Sequence, residues 1–231
     1  RTGVVAARFG TGYIDSMQKH TVNSVSKPVT LMLSPVKGRG TAWAIEHRFN
    51  AHARSSFDDG WGTLEQAASE EHVGPATTII EQNVKSILSG NESPDIGFDL
   101  SINPYRGCEH GCIYCFARPT HSYLNLSPGL DFETRILAKV NAAASLRKAL
   151  SSPSYQPLPL NLGSATDAYQ PAERRLRITR SVIEVLAEYR HAFSLITKSS
   201  LVERDLDLIA PMAAERLAAA YVSITTLDPA L

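Results

Sequence analysis

The stretch FDLSINPYRGCEHGCIYCFARP, residues 98–119, joins a short apolar run to a loop that holds all three cysteines of the chain. Its first part, residues 98–103, has the composition of a strand. Cys108, Cys112 and Cys115 form a poor disulfide framework, because close neighbours rarely reach bridging geometry and an odd number leaves one unpaired. In a reducing compartment such a cluster more often binds metal. The stretch therefore predicts a metal site directly after a strand.

From residue 98 onward, short apolar runs alternate with amphipathic stretches, a pattern typical of βα units and a parallel sheet. We predict strands at 98–103, 159–164, 192–197 and 221–225, and helices at 132–150, 173–189 and 202–212. An open dinucleotide-binding sheet would show GxGxxG after its first strand, but this strand runs into the cysteine loop. The pattern therefore favours an α/β barrel that is cut short, with its chemistry at the carboxyl ends of the strands.

The first 90 residues are weakly periodic, so we predict an irregular N-terminal extension (1–90) followed by the core (91–231). Within the extension, residues 76–88 carry apolar side chains at helix-like spacing, and Gly90 supplies a stop. The basic stretch 38–40 is interpreted as a solvated turn, with a phosphate contact as the alternative.

The charges of the chain balance, with Lys+Arg 23 against Asp+Glu 23, so no global positive field attracts nucleic acid or anionic lipid. No apolar run approaches the length of a membrane span, and the start has no signal-peptide layout. We therefore expect a cytoplasmic protein without a membrane partner. Because the sequence begins at Arg1 and ends in a predicted strand and loop, we expect a C-terminally truncated fragment.

The cysteines follow the pattern C-x3-C-x2-C. Three thiolates on a short loop can bind three irons of a cubane cluster and leave the fourth iron without a protein ligand. Gly107 and Gly111 suit a backbone that wraps tightly around an inorganic core.

Two runs, SINPYRGC at 101–108 and IYCFARP at 113–119, resemble the radical S-adenosylmethionine (SAM) superfamily and within it the spore photoproduct lyase-like branch. The aromatic residue before the last cysteine, Tyr114, belongs to the same hallmark. The resemblance covers about residues 79–231. It implies an incomplete (β/α)6 barrel with about four strands present, and a [4Fe–4S] cluster on Cys108, Cys112 and Cys115.

The resemblance also implies an activity. The open iron would chelate the amino and carboxylate groups of SAM, and an electron from a donor such as flavodoxin or ferredoxin would cleave SAM to methionine and a 5′-deoxyadenosyl radical. That radical would abstract hydrogen from a substrate that the sequence does not identify. The protein positions SAM and excludes water, while the cofactors supply the chemistry.

The resemblance implies that residues in or just after the predicted strands bind SAM. Ser164, Thr166 and Asp167 follow the second strand, and Lys198 ends the third, where it would pair with the SAM carboxylate. Ser223 alternates with apolar neighbours in the fourth strand and would face the ribose or carboxylate.

The same resemblance places Tyr114 against the adenine of SAM. Other polar residues in or after these strands, including Glu173, each have an alternative interpretation without a role in SAM binding. Asp167 would merely order its turn, Glu173 would cap the following helix, Lys198 would be solvated, and Ser223 would be an ordinary strand residue.

Two other functions stay open. A Cys3His zinc site with His110 or His121 would make the chain a structural or nucleic-acid-binding module, although the βα pattern argues against one. The simplest interpretation of the three cysteines is that they are buried and bind no metal. Repair of a thymine photoproduct in DNA is a minority hypothesis, because it needs a hydrogen-donating cysteine and all three are assigned to the cluster.

Overall fold

The computed structural model describes Gly40 and residues 76–224. This part of the chain is mixed α/β. Its strands are β1 (Thr78–Gln82), β2 (Leu88–Gly90), β3 (Leu100–Ile102), β4 (Tyr105–Arg106), β5 (Arg135–Lys139), β6 (Leu160–Leu162), β7 (Phe193–Thr197) and β8 (Ala218–Val222). Its α-helices are α1 (Leu130–Thr134), α2 (Ala142–Leu150), α3 (Glu173–Leu176), α4 (Ile178–Glu188) and α5 (Leu206–Ala214). Two 3-10 helices span Arg118–Leu124 and Ser200–Asp205.

The larger sheet has the strand order β2-β3-β6-β7-β8. β3, β6, β7 and β8 are parallel neighbours in chain order, and β2 pairs antiparallel with β3. Ile102, Leu160, Leu162 and Leu195 belong to the main core together with apolar residues of α2, α4 and α5. The four predicted core strands are confirmed, although β8 begins at Ala218, earlier than the predicted residue 221.

The smaller sheet has the order β1-β5-β4, and it corrects the predicted helix at 132–150. That segment contains the end of α1, then β5, then α2. Ile136 and Ala138 alternate along β5 into the core, whereas Leu137 and Lys139 are buried on its other face. A strand buried on both faces is a nearly continuous apolar run, which also fits helical spacing.

The helix predicted at 76–88 is also wrong. β1 pairs in parallel with β5, and the expected stop, Gly90, is the last residue of β2. Thr78, Ile79 and Ile80 are β-branched, and pairing with a partner strand satisfies their preference for extended backbone. Both strands lie within the predicted N-terminal extension and join the sheets of the core. Apart from Gly40, the basic stretch 38–40 lies outside the described residues.

The two remaining helices differ from their predicted form. The segment 173–189 is interrupted at Arg177, whose φ of 52° is left-handed, and so divides into α3 and α4. The segment 202–212 begins as a 3-10 helix and continues as α5, which runs through Pro211 to Ala214. Within the described residues the sheets do not close into a barrel. None of the helices described is both long and apolar enough to cross a membrane.

Candidate functional site

A cleft of about 190 Å³ lies where β6 and β7 end. The cysteine loop that follows β4 forms one side of it, and the segments after β6 and β7 form the other. Its lining includes eight residues that the sequence singled out: Cys108, His110, Cys112, Cys115, Ser164, Thr166, Asp167 and Lys198. Most of the predicted site residues are therefore brought together, although they are up to 90 positions apart in the sequence.

The cysteine loop is shaped by two glycines with left-handed backbone, Gly107 (φ 80°) and Gly111 (φ 63°). A Cβ on Gly107 would lie 2.8 Å from the carbonyl oxygen of Phe132, so a side chain there would also collide with backbone. That same carbonyl accepts a hydrogen bond from the N–H of Cys108 at 2.8 Å. The loop can therefore pack against the end of α1 only with glycine at position 107.

The three thiols are free but differ in environment. Cys108 is 7% exposed, whereas Cys112 and Cys115 are half-buried. Burial raises the pKa of Cys108 to about 12, because a buried thiolate loses hydration. Since metals bind the thiolate, metal binding at this loop would release a proton from Cys108.

No three Cys, His, Asp or Glu side chains among residues 40 and 76–224 stand as a group that could hold a metal ion. The chemistry of the donor set nevertheless fits a thiolate-bound iron–sulfur cluster. Three free thiols face one cleft, and soft sulfur ligands suit iron–sulfur clusters and zinc.

Asp167 links the ends of β6 and β7 to the cysteine loop. Its carboxylate accepts hydrogen bonds from Thr197 Oγ1 at 2.7 Å, Lys198 N at 2.8 Å and Tyr169 N at 2.8 Å. His110 Nε2 lies 3.3 Å from the same carboxylate. Burial opposes the charge, but the hydrogen bonds outweigh it and hold the pKa of Asp167 below its usual range. Asp167 therefore orders its turn, as the alternative interpretation proposed, and also presents an ionised carboxylate at the cleft.

The two predicted hydroxyl residues are held by neighbours of the first core strand. Asn103, just after β3, donates from Nδ2 to Ser164 Oγ at 3.0 Å and accepts from the N–H of Ala165 at 2.8 Å. Thr166, only 5% exposed, donates its hydroxyl to the carbonyl of Tyr105 at 3.1 Å. Asn103 is a positioning residue that sequence reasoning missed, although it lies inside the quoted SINPYRGC run.

Lys198 and Tyr114 meet across the cleft mouth, with Lys198 Nζ 5.7 Å from the centre of the Tyr114 ring. Tyr114 is 65% exposed and is not part of the lining. Ser223 is exposed, and it lies outside the lining too. Its backbone N–H donates to the carbonyl of Thr197 at 2.8 Å, which continues the β7–β8 ladder.

The two histidines considered as zinc ligands are placed differently. His110 lines the cleft beside Asp167. His121 is fully buried, its Nε2 lies 3.0 Å from the carbonyl oxygen of Arg135, and its ring packs edge-on against Phe132. Burial lowers the pKa of His121. Its Nδ1 has no hydrogen-bond partner among the described residues, so a metal would have to use that nitrogen.

Glu173 caps a helix, as its alternative interpretation held. Its carboxylate accepts hydrogen bonds from the N–H groups of Thr179 at 2.9 Å and Arg180 at 3.3 Å, in the first turn of α4. The side chains of Arg204 and Tyr105 also bind it. Glu173 is fully buried, so it supports the site from behind and does not contact the cleft.

Sequence reasoning also missed the contacts that hold the cysteine loop in place. Glu109 Oε2 accepts from the N–H of Ala172 at 2.6 Å, and Gln170 Nε2 donates to the carbonyl of Gly107 at 3.2 Å. On the other side, Arg118 and Glu133 form a buried ion pair. Only Arg118 had a signal, because it lies in the IYCFARP run that carries the resemblance.

Relatives of the chain are found in bacteria and archaea. Uncharacterized proteins of Mycobacterium tuberculosis and Mycobacterium bovis are 45% identical to it over 157 residues, which are 67% of this chain and 46% of those proteins. An uncharacterized protein of Methanocaldococcus jannaschii is 30% identical over 131 residues, 56% of this chain and 46% of that protein. The chain thus spans about half the length of the curated relatives it matches. No protein-family model and no solved structure matches it.

Proposed function

We propose that this chain carries the cluster-binding and SAM-binding part of a radical SAM enzyme, with a [4Fe–4S] cluster on Cys108, Cys112 and Cys115. One observation carries the proposal: the three thiols share a cleft with Asp167 and Lys198 at the carboxyl ends of parallel strands. Enzymes with parallel strands and alternating helices place their chemistry at this edge.

The order of the parallel strands supports a partial (β/α)6 barrel. β3, β6, β7 and β8 pair in chain order, and helices follow β6 and β7. Such a barrel has more parallel strands than the four described here, and the mycobacterial relatives are about twice as long as the matched region.

When bound, the cluster would supply the electron that cleaves SAM to methionine and a 5′-deoxyadenosyl radical. The residues of the chain bind and orient. The ionised Asp167 suits the amino group of SAM, and the ammonium of Lys198 suits its carboxylate. Phe116 and Ile196 line the same cleft and are exposed, so they offer apolar surface to a bound SAM. The electron donor would be a flavodoxin or ferredoxin, and nucleic acid is the minority choice of substrate.

The zinc alternative finds less support. Tetrahedral zinc needs a fourth ligand beside three cysteines. His121 lies outside the cleft, with its Nε2 against the carbonyl of Arg135. His110 lines the cleft, and its Nε2, 3.3 Å from the Asp167 carboxylate, is the nitrogen that zinc would have to use.

Anaerobic reconstitution tests the proposal. The wild-type chain should bind about four irons and four sulfides, as expected for one cubane cluster. Cys108→Ser, Cys112→Ser and Cys115→Ser should each lose most of that iron, whereas His110→Ala and His121→Gln should keep it. Stoichiometric zinc that depends on either histidine, with no iron or sulfide bound, would contradict the proposal.

A second measurement tests the activity. The reduced full-length protein, incubated with SAM, should release 5′-deoxyadenosine, and UV-irradiated DNA should be added in parallel. SAM cleavage without restored thymine would keep the enzyme class and remove the repair hypothesis. An absence of 5′-deoxyadenosine from a protein that holds its full cluster would count against the activity.

A further inference from the structure

The side chain of Arg118 is buried behind the cysteine loop, with only 7% of the residue exposed. Its Nε donates to the carbonyl of Cys112 at 3.0 Å, and its Nη1 donates to the carbonyls of Gly129 at 3.1 Å and Pro128 at 3.4 Å. Its Nη2 donates to Glu133 Oε1 at 2.5 Å. One guanidinium therefore ties the backbone of a cysteine to the turn that begins α1.

Glu133, fully buried in α1, joins this guanidinium to two glycines. Its Oε2 accepts the N–H of Gly40 at 2.9 Å. A Cβ on Gly111 would lie 2.8 Å from that oxygen, and a Cβ on Gly40 would lie 1.6 Å from the carbonyl oxygen of Gly111. The carboxylate thus packs directly against the loop between Cys108 and Cys112, where a side chain at position 111 would collide with it.

A buried ion pair is a costly way to stabilise a fold, because both ions lose their hydration, and apolar residues of similar size often do as well. The pair instead fixes the relative positions of the groups that it binds. A guanidinium has five donors in a rigid plane, and the hydrogen bonds described above use all three of its nitrogens. The exposed pair Arg147–Glu188, with a contact of 2.6 Å, is chemically the same but touches no part of the loop.

We propose that Arg118 and Glu133 are positioning residues that fix Cys112 in the arrangement needed to bind metal. The part that concerns the cluster rests on the proposed function. The part that concerns the loop does not, because the hydrogen bonds that hold the loop run between groups of the chain itself.

Alkylation of the metal-free chain tests the loop directly. Under anaerobic, reducing conditions, iodoacetamide modification of each cysteine is followed by fragmentation mass spectrometry. In Arg118→Gln and Glu133→Gln, Cys112 should react several-fold faster relative to Cys115 than in the wild type. Arg118→Lys should not restore the slow rate, because an ammonium cannot reproduce the planar donors. The matched control, Arg147→Gln, should leave all three rates unchanged.

The double variant Arg118→Met with Glu133→Leu keeps the test valid if a single variant unfolds, since it leaves no unpaired buried charge. We expect it to fold with fast alkylation of Cys112. A folded double variant with the wild-type alkylation pattern and iron content would overturn the proposal, because the pair would then serve stability alone.

Iron and sulfide content gives the second readout. In the single variants we expect iron affinity to fall by about 10- to 100-fold, the range typical of residues that orient metal ligands. Wild-type iron content and unchanged alkylation in the single variants would overturn the proposal. If the wild type binds no iron but the variants still alter the reactivity of Cys112, the positioning role stands and the radical SAM function fails.

Discussion

At the scale of single residues, Lys198 has an environment suited to a ligand. It is exposed, it follows β7, and its ammonium lies over the ring of Tyr114 at the mouth of the cleft. Among residues 76–224, no salt bridge uses its ammonium. Lys198 can therefore be replaced without disturbing the core.

On the proposed function, we expect Lys198→Met to weaken SAM binding by about tenfold, because a charge-assisted contact to the SAM carboxylate would be lost. Iron and sulfide content should stay at the wild-type level. Equilibrium dialysis of the reconstituted chain with SAM measures the effect, and Lys148→Met, an exposed lysine of α2, is the control. Equal affinities in the two variants would remove Lys198 from the site.

At the scale of elements, two helices end in the same way. Beyond α5, Leu217 N donates to Met212 O at 2.8 Å and Arg216 N to Ala213 O at 2.9 Å. This is the Schellman arrangement, in which the left-handed position usually holds glycine. Here that position is Arg216, with φ 61°, and the same arrangement after α4 places Arg190 at φ 49°.

Arg216→Gly should stabilise the protein by about 0.5 kcal/mol, since glycine adopts positive φ without the strain that a Cβ imposes. Lys148→Gly, a right-handed exposed position in α2, should instead destabilise it by about 0.5–1 kcal/mol. Urea unfolding of both variants measures the two effects. A loss of stability in Arg216→Gly would show that the contacts of the Arg216 side chain stabilise the protein by more than the relief of backbone strain does.

The errors in the predicted elements come from pairing between distant strands. Residues 132–150 fit a helical stripe, yet the middle of that segment is β5, whose partner β1 lies more than 50 positions earlier. A local pattern carries no information about such a partner. The parallel strands β3, β6 and β7 were predictable, because each is a short apolar run followed by polar residues.

The residues of the candidate site also divide into those that the sequence could predict and those that it could not. The cysteines could be located by their spacing, and Asp167 and Lys198 by the resemblance of their segments to the radical SAM superfamily. The buried carboxylate of Glu133 could not, since its partners Arg118 and Gly40 are 15 and 93 positions away. Glu133 lies in a segment interpreted as an amphipathic helix, where a glutamate is expected to face solvent.

At the scale of the whole molecule, a buried acidic group joins the segment before α3 to α4 and to the 3-10 helix that precedes α5. Asp205, fully buried, accepts hydrogen bonds from Arg204 at 2.7 and 2.8 Å, from Arg180 at 3.0 Å and from Tyr169 at 3.1 Å. Burial opposes its ionisation, but these donors outweigh burial and lower the pKa of Asp205. Asp205 is therefore ionised in the folded protein at neutral pH.

This depressed pKa fixes the direction of acid sensitivity. The stability it contributes is complete above the ordinary carboxyl pKa of about 4 and is lost as the pH falls through the lower folded value. We expect Asp205→Asn to lose about 2 kcal/mol at neutral pH and to show a flatter decline below about pH 4. Urea midpoints at pH 7 and about pH 3 measure both effects.

Asp207 is the matched control, because it binds the same Arg180 at 2.7 Å but is exposed to solvent. Asp207→Asn should cost less than 1 kcal/mol, roughly the range of surface ion pairs. If both variants lose the same stability at neutral pH, burial of Asp205 adds nothing.

The unequal burial of the three thiols has a practical consequence for handling in air. Cys112 and Cys115, half-buried and spaced as C-x2-C, are open to oxygen, whereas Cys108 is shielded and its thiol stays protonated. Oxidation would therefore take the two outer sulfurs first, as sulfenic acids, and leave the core of the protein untouched. A sample purified on the open bench would keep its circular dichroism and its melting curve and yet lack two of its three sulfur donors.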